Sequence, residues 1–319
     1  MTPEFFPRGT FYCLLDDQPD FLVPQHLIPA PVQAGPLIVN PLCCFAWQAP
    51  LPPDMALRAG DRAGLFDIPW TIWVDDPATR AVLPFWLGPD FAHALHDLTP
   101  GEPFTADMSQ EAVQTLITAQ VLVTPDHAAR RRRQWMDAVQ HYAMLFQRGY
   151  VMLQGLLHPF HLGALRRYYR YQTRAGAFPL GDGQTTGRYV AHDESVTRFF
   201  HRQLTHVIGD IARNLVQPSY TYLSFYQGGA DLAPHTDRAQ CEYTASLCVD
   251  ATPEPEAQVP WPLHIMTAEG ELRVWQHIGD ALLFRGRVLT HWREWLADGY
   301  TCSNVLLHYV DQDFAGPLG

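Results

Sequence analysis

The sequence predicts an α+β protein with a β-rich C-terminal part, helices before it and a smaller N-terminal region. Three observations carry that expectation. The chain has 319 residues, 47% hydrophobic and only 17% charged. That is enough to bury a sizeable core, as one large domain or two ordinary ones. From Ser219 onward, short apolar runs alternate with turn residues: SYTYLSFY, CEYTASLCVD, WPLHIMT, ELRVWQ, DALLF and TCSNVLLHYV. Short strands at this spacing indicate an all-β sandwich or barrel. Upstream of them, segments starting near Asp126, Pro159 and Val196 carry apolar residues at helical spacing.

Residues 1 to about 90 are rich in Pro and aromatics, and PLCCFAW and PWTIWV read as short buried strands between turns. A helix follows, capped by Asp107 or Ser109, with Val113, Leu116, Ile117 and Val121 on one side, and LVTP ends it. The segment from Leu83 to Thr124 has the order of a small winged-helix-like unit. It resembles peptide-recognition modules attached to some peptide-modifying enzymes; the alternative is a plain scaffold. A boundary at 125/126 therefore separates an accessory domain, 1–125, from a second domain, 126–319. In the helix near Asp126, Trp135, Val139, Tyr142 and Phe146 share a face, and Gly149 suits its stop. Arg130 to Arg133 read as a solvated helix face, with the binding of an anionic partner as the alternative. YVML is a strand, Pro159 to Arg174 an amphipathic helix, and residues 181–195 a polar Gly-rich loop. That loop is either a substrate lid carrying Arg188 and His192 or an ordinary surface loop.

Charge and cysteine usage narrow the function classes. All 22 basic residues are arginine, and the formal net charge is -11. Without lysine there is no lysine Schiff base and no Gly-Lys-Ser/Thr phosphate loop. Anions must rest on Arg, neutral donors or a metal. The acidic balance argues against nucleic-acid binding. The N-terminus lacks signal-peptide character, no stretch has membrane-helix length, and the six cysteines contain no Cys-x-x-Cys pair. A cytoplasmic protein with no membrane partner is the expectation.

Two of the 15 histidines stand out by context. In FYQGGADLAPHTD, His235 precedes Asp237 by two positions, and residues i and i+2 of a strand share a face. His291, in GDALLFRGRVLTHWREW, stands 56 positions later with several strands between. Two His and one carboxylate on one face of a metal leave positions open for small ligands, as in the facial triad of non-haem Fe(II) oxygenases. Separately, each has a blander reading: a packed histidine or a turn-capping aspartate.

Residues 219–310 resemble the iron(II)/2-oxoglutarate-dependent dioxygenases, nearest the prolyl-hydroxylase-like branch. The matching pieces are Tyr226-x-x-Gly229, His235-Thr236-Asp237, Gly279-Asp280-Ala281-Leu282-Leu283-Phe284, and His291 followed by the strand Thr301 to Val310. The resemblance implies a double-stranded β-helix, or jelly roll, with flanking helices. It implies His235, Asp237 and His291 as ligands of Fe(II), with 2-oxoglutarate and O2 as co-substrates. It also implies hydroxylation of an unactivated C–H bond coupled to decarboxylation of 2-oxoglutarate to succinate.

The chain departs from the family at the co-substrate anchor. Members hold the distal carboxylate with Arg or Lys about ten residues after the distal His, but Tyr300, Thr301, Cys302 and Ser303 stand there. Arg293 is the substitute, with Tyr226 and Ser303 assisting and Thr301 as a further hydroxyl; for Arg293 a surface ion pair with Glu294 or Asp298 is the alternative. Arg285 and Arg287 lie in a connecting loop, and Arg238 is expected to point away from Asp237's face. No role is assigned to His264, His277 or His308, and His93, His96, His158 and His161 are read as structural. The substrate is a small molecule or a peptide, with Arg188 a candidate contact. Two other functions compete: an iron oxidase that does not use 2-oxoglutarate, and a jelly-roll binding protein without oxygen chemistry.

Overall fold

The computed structural model describes residues 35–59, 63, 70–86, 91, 96, 98–105, 107–157 and 159–319. The readings of His93, His158 and the first part of the N-terminal region lie outside the described residues. The chain forms two compact units, and their division differs from the expected 125/126 boundary. One unit holds residues up to Met136 together with the segment to Arg167 that follows position 158. The other holds Asp137–Leu157 and Tyr168–Gly319. Helix periodicity hides such a division, because a helix running through it keeps its register.

In the N-terminal unit, β1 (Ile38–Val39) pairs with β5 (Leu122–Val123), and β2 (Cys43–Phe45), β3 (Thr71–Asp75) and β4 (Val82–Trp86) form an antiparallel sheet in that order. Helix α1 spans Pro53–Ala59 and α2 spans Gln110–Thr118. Of the two expected caps for α2, Ser109 is the one used: its hydroxyl accepts the Ala112 N–H at 3.2 Å. Helix α3, His127–Phe146, carries the arginine run. The run is not uniformly solvated. Arg131 is 5% exposed and forks onto the fully buried Asp76, Nε to Oδ1 at 3.0 Å and Nη2 to Oδ2 at 3.3 Å. A buried carboxylate needs such a partner.

The second unit is built on two antiparallel sheets. A six-stranded sheet has the order β6-β13-β10-β15-β8-β7, and a four-stranded sheet the order β12-β11-β14-β9. The strands are β6 (Tyr150–Leu153), β7 (Arg188–His192), β8 (Val216–Gln227), β9 (Leu232–His235), β10 (Tyr243–Thr252), β11 (Leu263–Thr267), β12 (Gly270–Val274), β13 (Ala281–Phe284), β14 (His291–Arg293) and β15 (Thr301–Asp311). From β8 to β15 the chain passes back and forth between the sheets, which is the winding of a jelly roll. Leu263 and Ile265 of one sheet pack on Leu282 and Phe284 of the other. Strand β10 is central in the large sheet, and its first nine residues are buried, as expected where both faces are covered.

Helices α4 (Pro159–Arg174) and α5 (Ser195–Ala212) complete the described elements, and α5 packs on β8 and β15. Glu194 caps α5 by accepting the N–H groups of Val196 and Thr197 at 3.2 and 3.0 Å. The structure corrects the reading of residues 181–195 as a loop throughout: Arg188–His192 is strand β7 at the sheet edge, paired with Tyr222–Tyr226. Its sequence, RYVAH, carries too few apolar residues to signal a strand by itself.

Candidate metal centre and adjoining cavity

His235 ends β9 and His291 begins β14, and the two are direct cross-strand partners. Their rings lie 4.3 Å apart, centroid to centroid. Each Nδ1 sits 2.9 Å from a backbone carbonyl, that of Ala233 for His235 and that of Leu289 for His291. Those bonds turn both Nε2 atoms toward Asp237 Oδ1, at 3.7 Å from His235 and 3.6 Å from His291. This is how a protein fixes the tautomer of a metal-binding imidazole. One ligand atom from each of the three residues lies within 4.8 Å of the others. Burial holds the His291 pKa below the usual imidazole range, so the ring is neutral and able to ligate near pH 7.

Asp237 reaches this point by a route different from the one the sequence suggested. Strand β9 ends at His235, so i, i+2 alternation does not place it. Its N–H donates to the Gly286 carbonyl at 2.9 Å, and its Oδ2 accepts the Thr244 hydroxyl at 2.9 Å. Oδ1 is left facing the histidines. Gly286 is required by close approach: a Cβ there would sit 2.1 Å from Asp237 Oδ2 and 2.7 Å from Thr244 Oγ1. Neither Gly286 nor Thr244 carries a sequence signal, because the contact joins segments with no shared local pattern.

A cavity of about 310 Å³ opens beside the three residues. Its large-sheet wall runs through Tyr222, Ser224 and Tyr226 of β8, Asn304, Leu306 and His308 of β15, and Thr244 and Ser246 of β10. Arg293 lies in it, 4% exposed, with Nη1 donating to the Trp261 carbonyl at 2.7 Å and the guanidinium carbon 4.5 Å from the Trp261 ring centre. It has no acidic partner among the described residues, so the alternative of a surface ion pair with Glu294 or Asp298 is set aside. Tyr226 is 3% exposed, and its oxygen accepts from Arg188 Nη1 at 2.9 Å, leaving its own proton to donate. Among the described residues, Ser224 Oγ and Asn304 Nδ2 of the wall are also buried without a hydrogen-bond partner.

Ser303 is placed elsewhere. Side chains of β15 alternate, and Asn304, Leu306 and His308 take the cavity face. Ser303 and Thr301 point to the other side, into a separate cavity with Arg170 and Asp250. The expectation that either hydroxyl faces the candidate centre is corrected. Arg238 is corrected in the other direction: it lines the main cavity, since no strand continues past His235 to turn it away. Arg285 and Arg287 pair with Glu242 at 3.1 and 2.9 Å.

Arg188 also lines the cavity, but all its donors except one Nη1 N–H have protein partners. Nε and Nη2 bond Asp182 Oδ2 at 2.8 and 2.5 Å, and Nη2 also reaches Gln184 Oε1 at 2.6 Å. Burial opposes ionisation of Asp182. Hydrogen bonds from Tyr222, from the Thr185 and Gln184 N–H groups and from Arg188 outweigh it and hold the carboxyl at about 2. Arg188 thus pins the 181–187 loop onto the cavity wall. His308, to which no role was assigned, lies on the wall too, 3% exposed.

Comparison with known proteins returned no matching family model and no matching curated protein. Solved structures do match. A non-haem α-ketoglutarate-dependent epimerase from nogalamycin biosynthesis aligns at 15% identity and TM-score 0.45, over 55% of this chain and 84% of that one. A prolyl-4-hydroxylase of Pseudomonas putida aligns at 14% identity and TM-score 0.44, over 55% of this chain and 99% of that one. A 2OG-Fe(II) oxygenase family protein from Burkholderia pseudomallei aligns at 13% identity and TM-score 0.43, over 56% and 92%. The chain is similar to these oxygenases, and the roles given below rest on the site's own geometry.

Proposed function

We propose that the protein is an Fe(II)/2-oxoglutarate-dependent oxygenase that hydroxylates an unactivated C–H bond of a small-molecule or peptide substrate. The observation that carries this reading is the convergence of His235, Asp237 and His291 beside a cavity that also holds a buried arginine with no acidic partner among the described residues. Two imidazoles and one carboxylate suit Fe(II), and their arrangement on one side leaves positions for a keto acid and O2. The residues present also fit a dicarboxylate. Arg293 brings a charge that no acid among the described residues pairs with, Tyr226 a free proton, and Ser224 and Asn304 hydrogen bonds unmade among the described residues. Two residues of extended chain, from His291 to Arg293, span roughly 6.6 Å, the scale of a five-carbon diacid.

With both groups bound, O2 and 2-oxoglutarate are converted to succinate and CO2 while the substrate C–H becomes C–OH. The protein's part is positional. His235, His291 and Asp237 would hold the metal through Nε2, Nε2 and Oδ1. Arg293 and Tyr226 seat the distal carboxylate, and Ser303 has no part in it. Arg188 supports Tyr226 and the 181–187 loop. Residues 1–125 are read as an accessory region, with peptide recognition among its candidate roles.

The test is succinate production that requires iron. His235→Ala should abolish it, and unchanged turnover in that variant would sink the proposal. An oxidase that ignores 2-oxoglutarate is the second reading, motivated by the lack of Arg or Lys at Tyr300 to Ser303. Consumption of labelled 2-oxoglutarate during turnover separates the two.

A further inference from the structure

His308 and Thr244 are the part of the cavity wall that the proposed chemistry leaves unused. Thr244 Oγ1 lies 2.9 Å from Asp237 Oδ2 and 3.0 Å from His308 Nδ1. A hydroxyl has one proton. An ionised carboxylate only accepts, so the Thr244 proton goes to Asp237. The Thr244 oxygen must then accept from His308, and Nδ1 carries the imidazole hydrogen. In a neutral ring Nε2 is left bare. His308 lines the cavity, and Nε2 has no partner among the described residues. The ring is held in place by the Tyr220 ring, 4.5 Å away between centroids. Its backbone carbonyl lies 2.6 Å from His201 Nε2, and the Ser219 hydroxyl lies 2.8 Å from it and 2.7 Å from the Gln240 carbonyl.

We infer that His308 and Thr244 form a one-way hydrogen-bond relay that both orients Asp237 and presents His308 Nε2 to the cavity as a fixed acceptor. Thr244 is a positioning residue: by occupying Oδ2 it leaves Oδ1 as the ligand atom. His308 is a specificity residue for a substrate group that donates a hydrogen bond, a hydroxyl or an N–H, close to the metal. This deepens the oxygenase reading, since it assigns the substrate-side chemistry of the same cavity.

Two readouts test it without turnover. The first is the 15N chemical shifts of the His308 ring in the metal-free protein, with His308→Gln identifying the signals. The Nδ1–H tautomer is expected in the wild type and in Thr244→Ser, and its loss in Thr244→Val. The second is Co(II) affinity from the visible spectrum. Thr244→Val should bind about 10–100-fold more weakly, the usual cost of removing a group that orients a metal ligand, and Thr244→Ser should restore binding. An Nε2–H tautomer in the wild type, or wild-type Co(II) affinity in Thr244→Val, overturns the relay. A wild-type protein that binds no Co(II) or Fe(II) instead overturns the oxygenase reading on which the relay rests.

Discussion

At the scale of single residues, the candidate centre depends on one missing side chain and one unpaired charge. Gly286 lets Asp237 and Thr244 approach within contact of its backbone. Gly286→Ala should therefore push Asp237 away from the two Nε2 atoms. The expected result is a loss of Fe(II) affinity with folding retained, read by anaerobic titration alongside thermal melting. Arg293 is nearly fully buried and has no acidic partner among the described residues, a costly state unless a ligand supplies the anion. Arg293→Gln should weaken 2-oxoglutarate binding to the Fe(II) protein about 10–100-fold, from the roughly 1.5–3 kcal/mol of a charged hydrogen bond. Ser303→Ala should leave that affinity unchanged, because its side chain faces the other cavity. The charge of Arg293 was visible in the sequence through its spacing from His291. Its isolation was not, since burial and partners depend on Trp261, which lies 32 positions earlier.

At the scale of elements, strand parity and the β7 segment decide which side chains meet. The periodicity of β15 was plain in TCSNVLLHYV, but which alternate set faces inward depends on its register with β8 and β10. A register shift near His308 adds to the ambiguity. Strand β7 and the loop before it are tied by Asp182, which gathers Arg188, Tyr222 and two backbone N–H groups. The folded-state pKa of Asp182 is depressed from 3.8 to about 2. Its contribution to stability is present above the unfolded value and is lost as pH falls through about 2. Asp182→Asn should thus lower the melting temperature near pH 7, and the difference from wild type should shrink as pH falls from 4 toward 2. An equal difference at both ends would show that Asp182 acts through packing alone.

At the scale of the whole molecule, the two units share helices in sequence. The N-terminal unit includes residues 159–167, and within it His161 stacks on Phe85 with ring centres 6.4 Å apart. A cut at 125/126 would leave that segment without Phe85. The isolated chain 126–319 should melt at a lower temperature than the full chain, as scanning calorimetry would read. Among the described residues no helix is long and apolar enough to cross a membrane.

The sequence by itself determined the class of strands and helices, the candidate ligands His235, Asp237 and His291, and the chemistry that a lysine-free chain excludes. These are local facts: period, turn residues and residue type. Only the tertiary structure decided that Asp237 is held by Gly286 and Thr244, that Arg293 is a buried cation with no acidic partner among the described residues, that Ser303 faces away, and that His308 joins the wall. The facing of Ser303 and His308 depends on the register of β15, since a shift of one residue exchanges the two faces of a strand, while Asp237 and Arg293 are fixed by contacts from Gly286 and Trp261, in turns and loops outside the strands. The missing lysine first appeared as an exclusion. In the fold it leaves the cavity to three arginines: Arg188, bound to Asp182, and Arg238 and Arg293, which have no acidic partner among the described residues.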